Sequence, residues 1–106
     1  MQTVSYRLIT IITERGLRDR LIDAVHNLGA TGHTHYDVHG EGSRGASGSL
    51  RGGPSVKIEA VVTADVADQI VEHVSSKYFA HHSVIVYLQD VEVLRGSKYA
   101  PHNKGV

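Results

Sequence analysis

No cysteine occurs among the 106 residues, so disulfides, thiolate metal sites and a cysteine nucleophile are excluded. No apolar run approaches the ~20 residues that a membrane-spanning helix requires. The opening segment MQTVSYRLITII has no basic stretch ahead of its apolar residues, so no signal peptide is expected either. Charge of one sign is lacking too: eleven basic residues balance eleven acidic ones, which argues against a general binder of nucleic acid or anionic membranes. A soluble, cytoplasmic chain is the expectation that remains. Its length suits one domain over residues 1–106, large enough to build a core without disulfide or metal staples.

Hydrophobic residues make up 41% of the chain, and the compositional oddity is eight histidines. Because unperturbed histidine titrates near pH ~6.5, they leave the net charge free to rise as the pH falls.

Val4 to Ile12 is rich in β-branched and aromatic residues and reads as a strand covered on both faces. Thr13 is placed to cap a following helix, with Glu14 on its first turn. Leu17, Leu21, Val25 and Leu28 make an apolar stripe at helical spacing, and Gly29 sits where a left-handed C-terminal cap belongs. His33 to His39 alternates, with Thr34, Tyr36 and Val38 opposed to His33, His35, Asp37 and His39. Ser55 to Val62 is a third strand, with Val56, Ile58, Ala60 and Val62 opposed to Lys57, Glu59 and Val61. Thr63 is the next N-cap candidate, and Val66, Ile70, Val71, Val74 and Tyr78 form a second helical stripe. Val84 to Leu94 closes the series as a strand with a bulge expected at Gln89-Asp90, and Ser97 to Val106 reads as a polar tail, mobile unless docked.

The second and third strands are separated by a run of another character. Between Gly40 and Gly53 stand six glycines, three serines, two arginines and one glutamate, and only Ala46 and Leu50 could help a core. Such a segment cannot bury enough apolar surface to offset its ordering entropy. Long loops inside small domains are uncommon and usually functional.

The order strand, helix, strand, loop, strand, helix, strand predicts an α+β, ferredoxin-like βαββαβ fold: a four-stranded antiparallel sheet with two helices on one face. The other face is left uncovered. If the apolar sets face the helices, it carries His33, His35, Asp37, Lys57 and Glu59, and a half-polar open face suggests oligomerisation or ligand contact.

The run GATGHTHYDVHGEGSR, followed after the loop by VKIEAVV, resembles the PII signalling superfamily, in which a short glycine motif opens the T-loop and a VKIE-like segment starts the third strand. The resemblance spans about residues 4 to 96 and is nearest to the PII-like proteins of inorganic-carbon metabolism, namely the carboxysome-associated PII proteins and the regulator of the sodium-dependent bicarbonate transporter. It implies a homotrimer that binds adenine nucleotide between neighbouring subunits and reports it through a T-loop, here about residues 40–54, with a tail at about 97–106. Carried over by position, Thr34, Gly40, Glu41 and Gly42 would line the nucleotide cleft at the loop base, with Ser43 and Arg44 near the phosphates. Glu59 and Val61 would approach the nucleoside, with Ile12 a weaker candidate there. Arg95 would meet phosphate from the neighbouring subunit.

The residues support several of these roles directly. Glycines at 40 and 42 let backbone approach a ligand and expose N–H groups to an anion, and Arg44 and Arg95 each offer a planar, permanently charged fork to phosphate. Two departures narrow the expectation. Before the last strand this chain has Ala80-His81-His82-Ser83 in place of the glycine-and-lysine turn of PII proteins, which makes AMP or ADP the favoured ligand over ATP, with bicarbonate a candidate second ligand. The loop also lacks the tyrosine that is modified in enteric PII proteins, which argues against nitrogen signalling. A bicarbonate transporter or carboxysome component is the implied protein partner; no cofactor, resident metal or nucleic acid is expected.

The rival reading is a divalent-metal-binding or metal-tolerance protein of the same fold, because His33 and His35 lie two apart on one strand face, with Asp37 and His39 continuing the row. For an enzyme, the sequence offers no nucleophile elbow, no Walker lysine and no paired carboxylates.

Overall fold

A computed structural model describes residues 2–40 and 54–101. Strand β1 (Val4–Glu14), helix α1 (Arg18–Asn27), strand β2 (Thr34–Val38), strand β3 (Ser55–Val62), helix α2 (Ala64–Tyr78) and strand β4 (Val84–Val93) follow in that order. The sheet order is β2-β3-β1-β4 and every pairing is antiparallel. This is the ferredoxin-like α+β arrangement expected from the sequence, with β1 and β3 central.

The core lies between the sheet and the helices. Ile9 and Ile11 of β1, Val56, Ile58, Ala60 and Val62 of β3, Leu21 and Val25 of α1, and Val66, Ala67, Ile70 and Val74 of α2 are all buried. The alternation along β3 and the helical stripes put these side chains on one surface each. Burying each large aliphatic chain contributes about 1.5–3 kcal/mol before entropy is counted.

Local chemistry explains the helix ends. The Thr63 hydroxyl accepts from the Val66 N–H at 3.3 Å and its carbonyl from the Ala67 N–H at 2.9 Å, so α2 starts at the expected cap. At the end of α1 the Ala30 N–H reaches the Val25 carbonyl and the Gly29 N–H the His26 carbonyl, both at 3.1 Å, with Gly29 at φ 130°. That pair of bonds is a Schellman closure. A Cβ on Gly29 would also lie 2.8 Å from Val66 Cγ2, so the chain turns tightly over α2 here.

Three expectations are corrected. Thr13 does not cap α1: β1 continues through Glu14, a 3-10 turn spans Arg15–Leu17, and α1 begins with no side-chain cap. Thr13 is instead buried in the sheet, paired between Val56 and Val84. No bulge interrupts β4, which stays in register with β1 from Val93 to Val84.

The third correction concerns β2. Its register sets His35 opposite Ile58 and Asp37 opposite Val56, so His33, His35 and Asp37 point to the helix side, while Thr34, Tyr36 and Val38 share the open face with Lys57 and Glu59. The placement of Lys57 and Glu59 holds and that of the histidine row is reversed. The physical reason is β2's place at the edge, where polar groups on the helix side still reach solvent and partners on α1.

Candidate functional site

The start of β2 is one wall of an open cleft of about 630 Å³. Its sheet side is built from two adjacent register pairs, Thr34 facing Glu59 and Leu8 facing Val61. The Thr31-Gly32-His33 segment that leads into β2 forms a second side, and Lys98 and Tyr99 form a third. Thus Thr34, Glu59 and Val61 line one cleft. A hydroxyl and a carboxylate beside two aliphatic side chains offer hydrogen bonds at the rim and an apolar floor, the mix that small-ligand sites use.

Lys98 and Tyr99 belong to a segment that reads as tail, yet it is docked. The Tyr6 hydroxyl donates to the Gly96 carbonyl at 2.7 Å and the Thr31 hydroxyl to the Lys98 carbonyl at 3.0 Å. The Tyr6 and Tyr99 rings lie 5.7 Å apart, tilted at 58°. A Cβ on Gly96 would stand 2.6 Å from Val4 Cγ2, so only glycine lets the 3-10 turn Gly96–Tyr99 close onto β1. Arg95 precedes this turn in the left-handed region, at φ 58° and ψ 52°, a conformation that costs a non-glycine residue roughly 1–2 kcal/mol. Its side chain is exposed and does not line this cleft.

Ile12 does not line this cleft, whereas Leu8, four residues earlier on the same open face, does. The alternation of β1 holds the signal for Leu8, since Leu8 and Ile12 share parity. Gly40 stands at the end of the described β2 segment, and a Cβ there would meet no described atom within 4 Å. Glu41, Gly42, Ser43 and Arg44 lie outside the described residues.

Behind the cleft, His26 Nε2 is 2.8 Å from His33 Nδ1, and His33 Nε2 is 2.9 Å from His35 Nδ1. The corresponding ring centroids are 5.0 and 5.1 Å apart. In both pairs the excess over the nitrogen separation is close to two ring radii, so each contact lies near the line of ring centres. These are two well-aligned hydrogen bonds in series, each holding one proton. Burial chiefly, and the neighbouring His26 and His35 in addition, hold the His33 pKa below the ordinary histidine value.

The metal-binding expectation fares differently. Asp37 pairs with Arg15 instead of extending the histidine row, and among the described residues no group of three or more His, Cys, Asp or Glu side chains could hold a metal ion. His82 Nδ1 lies 3.1 Å from Glu14 Oε1, which ties the turn before β4 to the end of β1.

On the open face, the Lys57 ammonium sits 5.9 Å from the centroid of the Tyr36 ring. Hydrogen bonding to Tyr87 is the main cause that holds its pKa above the ordinary lysine value. Tyr36, Ile85 and Tyr87 are exposed there at 42%, 41% and 39%. Among the described residues no helix is long and apolar enough to cross a membrane.

Known proteins share this arrangement. A PII-like signalling protein from Thermus thermophilus is 39% identical, with 94% of this chain and 100% of that chain covered at a TM-score of 0.81. CPII from Thiomonas intermedia, a nitrogen regulatory PII-like protein, is similar in its form bound to ADP and bicarbonate, at 25% identity over 92% of this chain and 97% of that chain, TM-score 0.80. Its form bound to ADP, AMP and acetate is 20% identical over 93% and 98%, TM-score 0.81. Residues 6–98 match the family described as nitrogen regulatory protein P-II, a span that holds both register pairs of the cleft and nearly all of the turn that closes it. The chain therefore belongs to the nitrogen regulatory protein P-II family.

Proposed function

We propose that this protein is a sensor of adenine nucleotide, with ADP or AMP preferred and bicarbonate as a second ligand, that regulates inorganic-carbon uptake or carboxysome function through its T-loop. The observation that carries the reading is the cleft that unites Thr34, Glu59 and Val61 in a chain similar to a CPII that binds ADP and bicarbonate. Thr34 and Glu59 provide hydrogen-bonding groups for the nucleoside, and Val61 with Leu8 supplies the apolar surface beneath it. The loop base, Gly40, Glu41, Gly42, Ser43 and Arg44, approaches the phosphates.

Arg95 serves a neighbouring subunit's cleft in a homotrimer. The left-handed backbone at Arg95 and the absence of its side chain from its own subunit's cleft support that role. The exposed Tyr36, Ile85 and Tyr87 support association through the open face. Signalling then follows from linkage: ligand contacts at the loop base exist only when that base is ordered, so nucleotide shifts the loop's population and with it the fit to a transporter or carboxysome partner.

Calorimetric titration with AMP, ADP, ATP and cyclic AMP, with and without bicarbonate, tests the reading. ADP or AMP is expected to bind most tightly, with Thr34→Ala and Glu59→Ala each weakening it by about tenfold, roughly the loss of one hydrogen bond. Silence toward every adenine nucleotide, together with tight zinc or copper uptake lost on changing His33 and His35, overturns it.

A further inference from the structure

Among the described lining residues of the cleft, one ionisable side chain besides Tyr99 is left over once opposite charges are paired. Among its described lining residues Glu59 and Lys98 carry opposite charges and cancel. The remaining lining group that titrates near neutrality, His33, then decides whether this described lining is neutral or positive. His33 does not titrate alone, because both of its ring nitrogens are engaged by His26 and His35.

Three neutral imidazoles bring three protons; two occupy the two nitrogen–nitrogen contacts and the third sits at one end, on His26 Nδ1 or His35 Nε2. A fourth proton fills the other end and leaves both contacts intact, now as charge-assisted hydrogen bonds. In that state the positive charge can reside on any of the three rings by moving protons within the two contacts. A fifth proton must put two donors into one contact and break it. The chain therefore accepts one added proton without structural loss and resists the next.

We propose that the His26–His33–His35 chain is a one-proton store that sets the charge of the cleft, so that an anionic nucleotide enters together with a proton. The inference rests on the nucleotide reading above and adds to it a pH-dependent determinant of affinity. No bond other than those to hydrogen is made or broken: the proton comes from solvent and returns there when the nucleotide leaves. The surrounding ionisable groups fit this assignment. Asp65 of α2 lines the same cavity as His26, and Glu59 of β3 and Lys98 and Tyr99 of the C-terminal turn line the same cleft as His33. Asp37, next on the strand face after His35, is paired with Arg15. Burial chiefly, with the neighbouring imidazoles, holds the His33 pKa below the ordinary histidine value, which leaves room at that ring for ligand-driven uptake.

The test is calorimetry of ADP binding from pH 8 to pH 6, in pairs of buffers that differ in ionisation heat, for the whole chain and for His26→Gln and His35→Gln, neither of which alters a cleft residue. Terminal phosphate titration, with a pKa near ~6, is common to all three proteins and cancels in the difference. Expected for the wild type is an excess uptake that approaches but does not exceed one proton per site and an affinity rising about fivefold, at the low end of measured couplings. Both effects shrink in the two variants, and uncharged adenosine shows neither. Side-chain nitrogen NMR of the free protein should show the three rings titrating as one unit. Tight ADP binding whose proton count is the same in wild type and both variants overturns the store while leaving the nucleotide reading intact. Absence of adenine-nucleotide binding at every pH overturns the functional reading and the coupling together.

Discussion

The two edges of the sheet are held by different forces. β4 pairs with β1 in an unbroken register from Val93 to Val84 and packs Val84, Val86 and Leu88 against the core. Among the described residues β2 is in register with β3 from Thr34 to Val38, and its first four residues are exposed. What fastens it on the helix side is polar: the imidazole chain to α1 and the Arg15–Asp37 pair. Apolar burial is large and indifferent to pH, whereas exposed polar contacts are each worth about 1 kcal/mol or less and respond to protons and salt. The edge that carries the candidate site is thus the one whose attachment can be adjusted, and damage at the two edges should separate into loss of fold and change of site.

The largest effect should come from the frame that both edges share. Ile11 is fully buried between Ile58 on β3 and Val86 on β4. Ile11→Ala should cost about 2–5 kcal/mol in urea denaturation, the range for truncating a fully packed aliphatic chain. A cost under about 1 kcal/mol would place Ile11 outside a well-packed core, and the two edges would then share no rigid frame.

A smaller effect belongs to the turn after β4. Gly96→Ala sets a Cβ against Val4, and overpacking of this kind costs about 1–3 kcal/mol. Because the displaced turn carries Lys98 and Tyr99, a lowered Tm should come with weakened ADP binding. Reduced stability with unaltered affinity would show that the turn is a prop and no part of the site.

How far the sequence foretold this arrangement depends on whether the signal was local. The helix stripes, the Gly29 closure and the Thr63 cap were legible because each rests on spacing within one element. Thr13 misled because a good capping residue also serves well in a strand, and β1 extends through Glu14 instead of ending at Ile12. The faces of β2 were unreadable since both of its residue sets are polar enough for solvent; register with Ile58 and Val56, a tertiary fact, decides between them. Of the cleft, Thr34, Glu59 and Val61 came through the family's pattern, while Lys98 and Tyr99 look like tail and are held at the site by Tyr6, Thr31 and the space that Gly96 leaves.

Acid should cost stability at β2 before it affects β4, because burial opposes charge on the His33 ring even while its two contacts persist. Folding lowers the His33 pKa, so as the pH drops below about 6.5 the unfolded chain binds more protons than the folded one. The associated stability is present above that pH and is lost as the pH falls through the folded-state value. The Tm should therefore decline as the pH is taken from neutrality into the acid range, and His33→Gln should flatten that decline. Amide exchange resolved by residue should place the early loss in Thr34–Val38 and leave β4 protected. An equal loss along both edges would contradict the division of forces.

The smallest effect on stability is the most informative about the site. A Cβ added at Gly32 meets nothing within 4 Å among the described residues, and its φ is not in the left-handed region. Gly32→Ala should then leave the protein as stable or raise stability by up to about 1 kcal/mol through the unfolded chain's lost freedom. Yet Gly32 lines the cleft beside His33 and Thr34, where absence of a side chain lets ligand approach backbone. A weakened affinity for ADP in a variant of unchanged Tm would mean that this glycine serves the ligand and not the fold. Full affinity would move the ligand away from the start of β2, toward the Leu8 and Val61 side of the cleft.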